Sequence, residues 1–228
     1  MKLMQSVLQR RSFVMQVGGR GAAFAAAAVG AGALQAQSRA DRWEPERHTE
    51  DDWLDKISGK HRLVFDATMP DGFGYALLYA SNYFIANKEY GLQDSDLAVV
   101  IVARHFATPF AFNDAMWKKY GAAISRLSNF TDPKTKQVPT SNLYNLPDSG
   151  LPNRSANIDT LIKRGVQFAV CEMATKQIAE PLAAASGGKA ESVFKELSTN
   201  LVANSRFVPA GIVAVNRAQE RGYAFVSV

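Results

Sequence analysis

A single cysteine, Cys171, closes the apolar run Val166-Gln167-Phe168-Ala169-Val170. A thiol there is a candidate nucleophile, because its thiolate attacks electrophilic sulfur and carbon. Three more chemistry-bearing residues close apolar runs in the same way: Asp66 follows Leu63-Val64-Phe65, and Arg104 and His105 follow the run from Leu97 to Ala103. If those runs are parallel strands, their carboxyl ends bring all four residues to one edge of a sheet, where α/β folds place their sites. Arg104 or protonated His105 would favour the Cys171 anion, His105 would move a proton, and Asp66 with Arg104 would contact substrate. Two plain alternatives stand beside this chemistry. Cys171 also suits a small buried hydrophobe, and Asp66 with Arg104 also suits an ion pair that holds a turn. No second His or Cys lies at ligand spacing from His105, so no metal site is expected. Gly72 and Gly74 lack the third glycine and the Lys-Ser/Thr of phosphate loops, which leaves a phosphate cradle as a weak third possibility and no cofactor as the expectation.

The elements that must position these residues alternate. The spacing predicts strands over Arg62–Ala67, Asp96–Ala103, Val166–Cys171, Arg206–Pro209 and Tyr223–Val228, each a short apolar run of the kind a parallel sheet buries on both faces. Helices are predicted between them: Tyr75 to Lys88, Thr108 to Gly121 with Thr108 as cap and Pro109 at the first position, Ser155 to Arg164, Lys176 to Ala185, a segment carrying Val193, Phe194, Leu197, Leu201 and Val202, and Ala210 to Arg221. The fold class is therefore α/β, a mainly parallel five-stranded sheet flanked by helices on both faces. The helix from Tyr75 is apolar almost all round, which marks it as a subunit-interface candidate and the chain as a homo-oligomer. A polar Pro/Asn/Ser-rich stretch, 128–154, interrupts the domain, and loops of that length usually serve function or contact another subunit.

Before the domain, Gln9-Arg10-Arg11-Ser12-Phe13-Val14-Met15 and the Ala/Gly-rich run after it read as a twin-arginine export signal over residues 1–36. The run is short for a membrane span, so membrane contact is expected only through this segment if it stays uncleaved. Its export places the mature protein in the periplasm, where a lone cysteine has no internal disulfide partner. A charged extension, 37–60, follows, with a short helix started by Thr49 and a capping-box acid at Asp52. The formal charge of +5 owes much to the leader: Lys2, Arg10, Arg11 and Arg20 lie in the first 36 positions, which hold no Asp or Glu. The remainder is nearly neutral, and nucleic-acid binding is not expected.

Three segments carry a family likeness. Gly165-Val166-Gln167-Phe168-Ala169-Val170-Cys171, then Phe207-Val208-Pro209-Ala210-Gly211-Ile212-Val213, then Gln219-Glu220-Arg221-Gly222-Tyr223-Ala224-Phe225 resemble the DsrE/DsrF-like proteins, over 61–228 apart from the 128–154 insertion. The resemblance implies a compact α/β domain that associates into trimers or hexamers, and members that carry sulfur on a cysteine as a persulfide. It matches Cys171 to the cysteine at the end of the third core strand. The expected function is thus an exported sulfur carrier or sulfurtransferase that passes sulfane sulfur from Cys171 to a partner protein thiol. The alternative is a non-catalytic oligomer of the same fold that binds a small anion or a partner.

Overall fold

The computed structural model describes residues 44–228; the segment 1–36 read as an export signal and the first part of the extension lie outside the described residues. Five parallel strands, β1 (His61–Ala67), β2 (Leu97–Ala103), β3 (Gln167–Cys171), β4 (Ser205–Val208) and β5 (Ala224–Ser227), form one sheet in the order β4-β3-β2-β1-β5. Every residue of β2 is buried, as its unbroken β-branched run requires of a central strand. The expected α/β class and five-stranded sheet are thus observed, with all neighbouring pairs parallel.

Crossover direction sorts the helices between the two faces. The chain steps β1, β2, β3, β4 in one direction, and right-handed crossovers then place the intervening elements on a single face. These elements are α2 (Pro70–Glu89), α3 (Asp114–Ser128), α4 (Ile158–Lys163), α5 (Glu172–Ser186) and α6 (Ala190–Ser198). They pack on Phe65, Val99, Ile101, Phe168 and Val170. From β4 the chain returns across the sheet to β5, so α7 (Gly211–Glu220) lies on the other face with the short α1 (Trp53–Lys56), over Val64, Val100, Val102 and Ala169. No described helix is long and apolar enough to cross a membrane.

Several boundaries differ from expectation for identifiable reasons. Helix α2 starts at Pro70, because a proline fits the first helical position, where its missing N–H is no loss. Gly72 and Gly74 therefore lie inside a helix and are not a phosphate loop: a Cβ on Gly72 would sit 2.6 Å from the Val228 carbonyl oxygen, and one on Gly74 2.6 Å from the Tyr144 ring. Thr108 is not a cap. His105–Ala111 form a 3-10 segment held by Ala107 N–H donating to the Thr68 and Arg104 carbonyls. The next helix is capped instead by Asn113, whose side chain accepts from the Ala115 and Met116 amides. That helix runs past Gly121 to Ser128, and Gly121 serves the close approach of Pro139. Asp52 makes no capping-box bond. The extension is fixed instead by Arg221, which donates to Asp55 at 3.1 Å, and by the Tyr223 hydroxyl, which donates to the Leu54 carbonyl at 2.7 Å.

At the amino edge of the sheet, Arg164 grips Asp94 through Nε and Nη2 at 2.8 and 2.9 Å, tying the end of α4 to the turn that opens β2. These hydrogen bonds hold the Asp94 carboxyl below its ordinary value, against an opposing effect of burial. A depressed carboxylate stabilises the fold at pH above its unfolded value and loses that contribution as pH falls through the folded one. The melting-temperature difference between wild type and Asp94→Asn should therefore shrink steadily on acidification from about pH 5 to about pH 2.

Candidate functional site

At the carboxyl edge, the loops after β3 and β4 leave in opposite directions, β3 into α5 on one face and β4 into α7 on the other. Such a divergence opens a crevice between adjacent strand ends, where α/β sheets bind ligands. Cys171 stands there, in register with Val208 as the last residue of β3. It is also the cap of α5: its Sγ accepts the Ala174 amide at 3.4 Å, and the Thr175 hydroxyl donates to its carbonyl at 2.9 Å. The partly positive helix end thus bears directly on the sulfur. Only 7% of the residue is exposed.

Strand parity places Asp66 and Arg104 on the same face as Cys171, because Asp66 shares the side of Val64, Arg104 that of Val102 and Cys171 that of Ala169. Asp66 and Arg104 form a two-pronged pair, Nε to Oδ1 at 2.6 Å and Nη2 to Oδ2 at 2.8 Å. The carboxylate side chain is 6% exposed and the guanidinium side chain 28%. Hydrogen bonds to Asp66 hold the Arg104 guanidinium above its ordinary value, and burial works the other way. Arg104 lies close against the first turn of α7, where a Cβ on Gly211 would come within 2.6 Å of Arg104 Cβ. Glycine at that position lets the arginine lie flat over the helix start.

The four residues named from the sequence thus divide. Asp66, Arg104 and Cys171 share one face at one edge. His105 is exposed, with a positive φ of 55°, and its ring lies 4.1 Å from that of Phe106, centroid to centroid. Among the described residues it has no hydrogen bond to Cys171, Arg104 or Asp66. Gly211 was not singled out as a site residue; its signal was the small pair Ala210-Gly211 after Pro209. The strand order that makes β3 and β4 the point of divergence leaves no mark in a local pattern. Among the described residues no group of three His, Cys, Asp or Glu side chains is arranged to hold a metal ion. A polar cleft lined by Asn113, Asp114, Asn142, Asn145 and Asp159 borders the loop that leads into β4. None of Asp66, Arg104, His105 or Cys171 lines it, and the Asn113 and Asn142 side chains are occupied in holding the loops together.

Fold and site together define an α/β protein with a helix-capping cysteine and a part-buried Asp-Arg pair at the divergence point of a parallel sheet. No model of a known protein family and no curated protein matches the chain. Among solved structures it is similar to a protein of unknown function from Methanobacterium thermoautotrophicum, with 16% identity and a TM-score of 0.39 over 74% of this chain and 100% of that one. No functional conclusion rests on so distant a likeness.

Proposed function

We propose that this is an exported DsrE-like sulfur carrier in which Cys171 takes up sulfane sulfur as a persulfide and passes it to a partner thiol. The observation that carries this reading is the seat of Cys171: the chain's one thiol caps a helix at the carboxyl edge of the sheet, where the loops diverge, and the strand register sets it beside a guanidinium fixed by Asp66. A helix amide donating to the sulfur and a guanidinium alongside are the surroundings in which nucleophilic cysteines are found. The chemistry needs no external oxidant. The Cys171 thiolate attacks the outer sulfur of a polysulfide, a new S–S bond forms, the donor's S–S bond breaks, and the donor leaves one sulfur shorter. A partner thiolate then attacks the outer sulfur of the persulfide, and Cys171 returns as thiolate.

The measurement is intact mass after incubation with polysulfide. The wild-type chain should gain about 32 Da per sulfur carried, reversed by a thiol reductant, while Cys171→Ser should gain nothing. A thiol that reacts only after unfolding, with no adduct on the native chain, would sink the proposal. That outcome would favour the non-catalytic anion-binding or partner-binding alternative, which is supported by the low exposure of Cys171 and by the prior engagement of Arg104 with Asp66.

A further inference from the structure

The two outer edges of the sheet are guarded very differently. A bare strand edge offers unpaired backbone groups to any passing strand, and proteins that keep such an edge to themselves blunt it with charge or proline. At β4 that protection is present: Arg206 lies in the strand and Pro209 follows it. At β5 it is absent. From Gly222 to Val228 there is no charged residue and no proline, and Phe225 is 43% exposed. The Val228 amide donates inward to the Asp66 carbonyl, so by the two-residue period of a strand the amides of Phe225 and Ser227 point outward. Among the described residues nothing pairs with that edge.

A second surface continues it. Helix α2 carries no charge from Gly72 to Asn87, and helices that face water normally show a charged stripe. Gly72 lies close against Val228 at the end of the β5 segment, and Tyr79, Tyr83 and Ala86 follow along the same stripe of the helix, at successive spacings of seven, four and three. Tyr79 is 43% exposed and stacks with exposed Tyr75 at 5.8 Å between centroids. An uncharged strand edge and an uncharged helical stripe therefore lie side by side on one flank of the domain.

We infer that this flank pairs with the same flank of a second copy about a two-fold axis, β5 against β5 antiparallel, giving a ten-stranded sheet across two chains. Charge selects the occupant. A two-fold contact sets residues near the axis against their own kind, so it tolerates no charge there. This flank has no charged side chain between Gly72 and Asn87 or between Gly222 and Val228, so a strongly charged partner would find no side chain there to pair with. The acids Asp71 and Glu89 stand at the two ends of the stripe, away from its middle.

The test is molar mass in solution by light scattering over a dilution series of the full chain. Wild type should run as an even-numbered assembly. Phe225→Lys puts two ammonium groups at the axis and should raise the dissociation constant of the pair by roughly 100-fold or more. Ser227→Pro removes an outward amide without touching the bonds to β1, and should weaken association in the same direction with the circular dichroism spectrum of the fold intact. A single-copy or odd-numbered wild type overturns the inference. So does an even-numbered assembly that neither Ser227→Pro nor Tyr79→Glu weakens, because its interface would then lie elsewhere.

Discussion

Arg104→Met should destabilise the domain by about 3–5 kcal/mol, clearly more than Asp66→Asn, for which about 1–2 kcal/mol is expected. The asymmetry follows from which charge is left behind. Removing the arginine strands a carboxylate whose side chain is 6% exposed, with no second cation bonded to it among the described residues. Removing the carboxylate leaves a guanidinium that already has 28% of its side chain in water and can turn further outward. The double variant Asp66→Asn/Arg104→Met should therefore be more stable than Arg104→Met alone, since a neutral amide costs less to bury than an unpaired anion. Urea unfolding of the four proteins gives the comparison directly. Equal costs for the two single variants, or a double variant less stable than Arg104→Met, would mean that the pair does not hold the edge as described.

The same pair shows what could be read from the sequence. Asp66, Arg104 and Cys171 were legible as strand ends because strands buried on both faces appear as unbroken apolar runs, and the residue after such a run falls at the sheet's edge. Their common face follows from parity alone. What the runs could not supply was strand order, which depends on crossovers across the whole domain and decides that the loops diverge between β3 and β4. Local signals also misled where tertiary contacts outweighed them. Thr108-Pro109 has the form of a helix start, but Ala107 is tied to Thr68 and Arg104, and an isolated bridge joins Phe112 to Leu201, so the chain stays in a 3-10 turn until Asn113 can cap. His105 was placed at the edge correctly in sequence, yet its left-handed backbone carries its ring onto Phe106.

The 128–154 stretch is polar overall but hangs on a few buried anchors. Asn142 donates to the Phe110 and Phe112 carbonyls, and Leu143, Tyr144 and Leu151 are buried in the main core. Tyr144 is the principal anchor. Its ring lies 5.5 Å from Phe73, 4.9 Å from Phe110 and 6.2 Å from Phe130, and its hydroxyl donates to the Pro70 carbonyl at 2.6 Å, in the first turn of α2. Tyr144→Ala should cost about 3–5 kcal/mol by opening a cavity among these rings, which is a large fraction of a domain's stability. Tyr144→Phe, which leaves the Pro70 carbonyl without this partner, should cost about 1–2 kcal/mol. Gly74→Ala gives the complementary test, because the added Cβ would meet the Tyr144 ring at 2.6 Å. It should destabilise the wild type by about 1–3 kcal/mol through overpacking, yet be neutral or stabilising in the Tyr144→Ala background, where the space is free and alanine is the better helix former. Additive costs in that cycle would show that the stretch is not anchored on α2 through this ring. Strong coupling would make the 128–154 stretch part of the core that holds α2 against the sheet, and with it the flank through which two copies are inferred to meet.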